Sequence, residues 1–149
     1  MSKELQRPNE LKVRVYGIIE SQGKVLLSYE RYNDFAFTKF PGGGLEFGET
    51  PVECLKRELQ EELSISVAKF ELLHVSEIYV QNRFNPKQQV IGIYYRVEIS
   101  EKDLLIIHRE LSELKMQGNL ELIKRIWCHK NDLSQKLTFE MDLDAVKSI

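Results

Sequence analysis

Three glutamates, Glu58, Glu61 and Glu62, fall within a single turn of a predicted helix in the stretch RELQEELSI at 57–65. Spacings of three and four residues bring side chains onto one helical face, where like charges cost roughly 0.2–0.5 kcal/mol per pair. The arrangement opposes folding unless something offsets it. A divalent cation does so: hard ions such as Mg²⁺ take carboxylate oxygens, keep several waters, and are completed by substrate phosphates. A solvated acidic face is the competing reading of the same three residues. The segment just ahead, PGGGLEFGE, places Gly42, Gly43, Gly44 and Gly48 beside the acids. Glycines permit backbone conformations and close approaches that side chains forbid, so such a loop can turn carbonyls or amides toward a ligand.

A helix must carry these acids, and its start is well signposted. Thr50, Pro51 and Glu53 supply an N-cap, a proline at the first helical position and the acid of a capping box. At about 100° per residue, Val52, Leu55, Leu59 and Leu63 share an arc of roughly 80° that predicts the buried face, with the acids on the adjoining arc. Before the helix, residues 11–30 read as two apolar strands around SQGK, where Gly23 can take the positive φ of a tight hairpin turn. RYNDFAFTKF has no clean period and reads as loop plus a short strand. Beyond the helix, VAKFELLHVSEIYV and QQVIGIYYRVEIS predict two strands, paired antiparallel across a turn at Asn85 and Pro86. Residues 101–118 are ambiguous between helix and loop, LELIKRIWC predicts a strand, and LDAVKS a short closing helix. This order predicts an α/β fold in which a mixed sheet lies between helices.

Residues 43–65, GGLEFGETPVECLKRELQEELSI, resemble the signature of the Nudix hydrolases. Gly43, Glu49, Arg57, Glu58, Leu59, Glu61, Glu62 and Ile65 fall on eight of its nine fixed positions, which makes the match highly specific. Ser64 stands where the family usually has glycine, just past the helix end, where a left-handed residue is usual. A serine there costs about 1 kcal/mol and removes no candidate ligand. Pro41 and Gly42 before the signature, and a strand and short helix around and after Trp127, extend a weaker likeness over most of the chain.

The resemblance implies a Nudix-like α/β/α sandwich that hydrolyses the diphosphate bond of a nucleoside diphosphate linked to another group X, using Mg²⁺ or Mn²⁺. It implies Glu58 and Glu62 as principal metal ligands, Glu61 as a further ligand or proton acceptor, and the Gly42 carbonyl as completing the shell. Arg57 would pair with Glu49 and hold the loop against the helix; its guanidinium fork suits a carboxylate. The general base is left open among Glu61, Glu46, Glu110, Glu113 and Glu121. A Nudix-fold module that binds a nucleotide without catalysis is the alternative. Marks of the subfamilies that take ADP-ribose or dinucleoside polyphosphates would fall near Gln81, where neither stands, with Tyr79 and Pro86 only neighbouring.

Other residues with chemical potential find no partner in the sequence. His74, His108 and His129 lack metal-ligand spacing and read as structural or exposed. Cys54 reads as a small buried thiol. Tyr32, Phe35, Phe37, Phe40, Tyr79 and Phe84 could stack a nucleobase, with core packing the favoured reading, and Arg14, Lys39 and Arg83 could reach phosphates. The chain of 149 residues, 42% hydrophobic and 30% charged, has the composition of a soluble globular protein and the size of one domain, with residues 1–10 expected to be flexible. A net charge of −2 offers no general attraction for nucleic-acid polymers or acidic membranes, so the expected partner is a small nucleotide, with room for a homodimer. Two distant cysteines, a polar start and the lack of a long apolar run predict a cytoplasmic protein.

Overall fold

The computed structural model describes residues 6–110 and 115–149. Its strands are β1 (Glu10–Ser21), β2 (Lys24–Tyr32), β3 (Phe35–Lys39), β4 (Gly42–Gly44), β5 (Lys69–Val75), β6 (Gln88–Glu98), β7 (Lys115–Gln117) and β8 (Leu120–His129). The helices are α1 (Pro51–Leu63), α2 (Glu101–Glu110), α3 (Leu133–Lys136) and α4 (Glu140–Val146). The strands lie in the order β5-β6-β1-β2-β8-β7, with β3 against β2 and β4 against β1. β1 and β6 run parallel while the other pairs are antiparallel, so the sheet is mixed as expected.

Both faces of the sheet are covered, and strict alternation along β1 shows why. Val15 and Ile19 face α1 and α2, packing on Leu55, Leu59, Leu63 and Ile107. Tyr16 and Ile18 face α3 and α4, packing on Leu133, Leu137, Met141 and Ala145. A strand buried on both sides must be apolar at consecutive positions, as YGII is. The result is an α/β/α sandwich. Among the described residues no helix is long and apolar enough to cross a membrane.

The predicted hairpin closes at Ser21 and Lys24, with positive φ at both Gln22 (52°) and Gly23 (76°). In RYNDFAFTKF the expected short strand is present as β3, but the expected loop is reduced to a tight turn. β2 continues to Tyr32, Asn33 turns the chain with φ 51°, and β3 returns in register through Phe35–Lys39. Asparagine tolerates that left-handed conformation without a following glycine. Strands β5 and β6 pair antiparallel as predicted, although β5 is shorter than its apolar run. The ambiguous residues resolve into α2 and β7, with 111–114 outside the described residues. Of the expected flexible start, residues 1–5 also lie outside, whereas the amides of Asn9 and Glu10 both donate to the Lys87 carbonyl.

Candidate active site

Helix α1 begins as its sequence dictates. The Thr50 hydroxyl accepts from the Glu53 amide, and the Glu53 carboxylate accepts from the Thr50 amide. The helix ends on Ser64 in the left-handed region (φ 57°), its amide bonded to the Gln60 carbonyl. With both ends fixed and Leu55, Leu59 and Leu63 fully buried, the acid face has one orientation, toward the glycine loop.

That loop enters the sheet as β4, which pairs with β1 from Arg14 to Tyr16. Gly42 adopts φ 143°, and a Cβ there would collide with the Val15 carbonyl and the Tyr16 backbone. A Cβ on Gly43 would lie inside the Glu58 carboxylate. Gly42 is thus required by close approach to main chain, while Gly43 leaves the room in which the Glu58 carboxylate lies against the loop. The Gly42 amide donates to Glu62 (3.3 Å).

Arg57 gathers the rest. Its guanidinium makes a bidentate contact with Glu49 (2.7 and 3.1 Å) and donates to Glu58 (2.9 Å) and to the Gly44 carbonyl (3.1 Å). Glu61 and Glu46 lie further out, 3.5 and 3.8 Å from the same group. The Glu49 carboxyl is held down to about 2, chiefly by its hydrogen bonds from Arg57 and next by the Glu46 amide. Glu58 is nearly covered, its side chain 14% exposed, whereas Glu61 is 58% exposed. Burial pushes the Glu62 carboxyl up, with Glu30 and Glu58 adding to it and Lys39 and Arg125 opposing.

Of the expected site residues, Gly42, Glu49, Arg57, Glu58, Glu61 and Glu62 are brought together, with Glu46 at the rim. Glu121 sits in β8 opposite Arg31, on the face of the sheet away from Glu30, and pairs with Arg31 (3.9 Å). Glu110 closes α2, and Glu113 lies outside the described residues. Cys54 is fully buried, as expected, its thiol pushed up to about 12 by burial and then by Glu49. His74 is structural: it bonds Asp144 (2.9 Å) and Ser148 (3.2 Å), tying β5 to the end of the chain.

Several polar residues lie near the acids; Lys39 and Arg14 were expected only as candidate phosphate contacts, and Glu30, Arg125, Tyr94 and Asp142 were not singled out in the sequence. Beneath the loop, Lys39 and Glu30 form a buried ion pair (3.2 Å, each side chain 7% exposed). Burial alone would lower the lysine, but Glu30 and Glu62 outweigh it and hold the ammonium above its ordinary value. Arg125 donates to the Glu62 main-chain carbonyl (2.9 Å). Arg14 bonds the Tyr16 hydroxyl (2.7 Å), Tyr16 stacks on Tyr94, and the Tyr94 hydroxyl donates to Asp142 (2.6 Å). The only available signal was phase: Ser28 and Glu30 alternate with Leu26, a residue of the buried face.

Asp142 yields a pH prediction. Burial pushes its carboxyl up to about 6, from an ordinary 3.8, and its second oxygen has no hydrogen-bond partner. A folded-state value above the unfolded one means that ionisation destabilises the fold, fully so above pH 6 and not at all below about pH 4. A shift of about two units corresponds to about 3 kcal/mol. Asp142→Asn keeps an acceptor for Tyr94 and removes the charge. It should raise the melting temperature at pH 8 by about 5 °C or more, with the gain vanishing near pH 4. Thermal melts across pH check it; a pH-independent gap would refute it.

Among the described residues no three acids are grouped closely enough to hold a metal ion as they stand, but the donor types gathered here are those a hard divalent cation takes. They are carboxylates on one helical face and a carbonyl from an adjacent glycine loop, with water and phosphate left to complete the shell. In this arrangement Glu58 turns to Arg57 and Glu62 to the Gly42 amide.

The model of the NUDIX domain matches residues 8–145, and the chain belongs to that family. It is 34% identical over 82 residues to an 8-oxo-dGTP diphosphatase of Haemophilus influenzae, covering 53% of this chain and 56% of that protein. It is 32% identical over 108 residues to an ADP-ribose pyrophosphatase of Methanocaldococcus jannaschii, covering 66% and 62%. The chain thus spans little more than half the length of these relatives. In fold it is similar to the crystal structure of the MutT protein from Methanosarcina mazei, with a TM-score of 0.69 over 97% of this chain and 94% of that one, at 19% identity.

Proposed function

We propose that the chain is a metal-dependent pyrophosphohydrolase that cleaves the diphosphate bond of a nucleoside diphosphate linked to another group. The observation that carries this reading is the convergence on Arg57. One guanidinium ties Glu49, Glu58 and the Gly44 carbonyl, locking the acid face of α1 against the glycine loop. The matched relatives, named as a diphosphatase and a pyrophosphatase, support it, and their differing substrates leave the group X open.

Glu58, Glu62 and the Gly42 carbonyl would hold Mg²⁺ or Mn²⁺. When bound, such an ion neutralises phosphate oxygens and lowers the pKa of a bound water toward neutrality. Glu61, the most exposed acid of α1's cluster, is free to turn as a further ligand or proton acceptor. Arg57 and Glu49 keep loop and helix in register. The nucleoside end has a surface to stack on. Phe35 and Phe37 precede Lys39 on one face of β3; Phe37 is buried under Phe84 and Phe139, with ring centroids 5.5 and 5.3 Å away, which leaves the more exposed Phe84 at the rim of this cluster as the ring a base could meet. Arg83 lies over Phe35 at 3.7 Å. Phe37 is two residues from Lys39, about 7 Å along the strand. The reading also takes the protein as cytoplasmic, acting on small nucleotides.

The test is incubation of the purified protein with Mg²⁺ or Mn²⁺ and a panel that includes 8-oxo-dGTP and ADP-ribose. Release of a nucleoside monophosphate is expected for at least one member. Nucleotide binding without turnover across the panel would establish the non-catalytic module instead.

A further inference from the structure

Lys39 has surroundings that the hydrolytic reading leaves unexplained. Its ammonium is buried, 3.2 Å from a Glu30 oxygen, and donates to the main-chain carbonyls of Phe40 (3.1 Å) and Gly42 (3.4 Å). The Tyr16 ring lies 5.7 Å from the nitrogen. A carboxylate, two carbonyls and a ring face are the environment of a bound cation. Here that cation is joined to the chain by four methylenes. One of its carbonyls is the same Gly42 oxygen that the proposed metal site requires, and the Gly42 amide carries Glu62.

Two cations sharing one carbonyl repel, and a buried site screens that repulsion poorly. We propose, resting on the metal-dependent reading above, that Lys39 is a tethered cation of the active site. It holds the Gly42 carbonyl and Glu62 in place while no divalent ion is bound, and keeps affinity for the free ion low. Tight metal binding then waits for the negative charge of the substrate phosphates. Lys39 is on this account a positioning and tuning residue, acting through Gly42 and Glu62.

A residue that merely braced the loop would give the opposite sign. Its removal would loosen the ligands and weaken metal binding. Removal of a competing charge tightens it.

The test is Mn²⁺ titration by electron paramagnetic resonance and calorimetry, with and without a non-hydrolysable nucleoside diphosphate analogue, on folded protein checked by circular dichroism. Lys39→Met should lower the dissociation constant for free Mn²⁺ about tenfold and shrink the further gain that the analogue gives, while Lys39→Arg stays near the parent. Lys39→Met removes the ammonium partner of Glu30 and leaves it with Ser28 and the charge of Arg125, so Glu30→Gln/Lys39→Met is the safeguard for the fold, because a buried pair removed together is often tolerated. It should also bind free Mn²⁺ more tightly than the parent. Unchanged or weaker binding in either folded variant overturns the inference and leaves the hydrolytic reading standing. A parent that binds no Mn²⁺ even with the analogue overturns both.

Discussion

Glu62→Gln should lower turnover with Mg²⁺ by at least about 100-fold, and Glu58→Gln should do the same, since loss of mere outer-shell partners of a metal already costs roughly 10–100-fold. Each change keeps the side chain's shape and an oxygen acceptor, so the Gly42 amide retains a partner at position 62 and Arg57 retains one at 58. What is lost is the formal charge that a hard cation demands. Without metal the Glu62 variant should melt no earlier than the parent. Burial raises the Glu62 carboxyl, so its ionised form destabilises the fold at neutral pH, and a neutral amide removes that cost together with the repulsion from Glu58. Added Mg²⁺ and nucleotide should raise the melting temperature of the parent and leave that of the variant nearly unmoved. Steady-state rates and paired melts check both halves. Parent-like turnover in either variant would remove the metal assignment.

The sequence disclosed the helix that carries the acids far better than the pocket beneath it. Thr50, Pro51 and Glu53 are a local code, read within four residues, and Arg57 with Glu49 follows from a pattern of fixed spacing. The left-handed conformation at Ser64 was expected from its place alone, and the structure has it despite the missing glycine. β3 was legible only as a short strand without bounds because its face mixes Phe35, Phe37 and Lys39, which breaks the apolar alternation of a strand, and because Asn33 alone marks its turn. Glu30, Lys39 and Arg125 had no local signature. A strand's period states which residues share a face, but which helix covers that face is fixed by topology. Arg125 reaches the Glu62 carbonyl across 63 positions of chain. Charges on a buried phase are nonetheless a usable sign, since each needs a partner inside.

Arg57→Met is expected to reduce catalytic efficiency by about 100-fold or more while leaving every proposed metal ligand in the chain, because misplacing a reacting group by about 1 Å can cost that much. The loop and helix meet through this side chain: Glu49 and the Gly44 carbonyl belong to one, Glu58 to the other. Methionine fills the space and leaves Glu49 and Glu58 to repel each other. A lysine cannot replace the fork, since it reaches one carboxylate as a point charge and loses the bidentate geometry. Arg57→Lys should therefore recover little activity. The melting temperature should fall by about 5 °C, since the guanidinium is partly exposed and solvent weakens each of its pairs. The Glu49 carboxyl is held down to about 2 in the folded chain, against an ordinary 4.5. A lowered value stabilises the fold above pH 4.5 and loses that contribution as pH falls toward 2. The gap between parent and variant should hold from pH 8 to 5 and close below that. Adding Glu49→Gln to Arg57→Met should restore much of the melting temperature by relieving the repulsion, yet restore none of the turnover, because nothing then ties the glycine loop to α1. Recovery of activity in that double variant would show that charge balance, rather than the Arg57 bridge, organises the site.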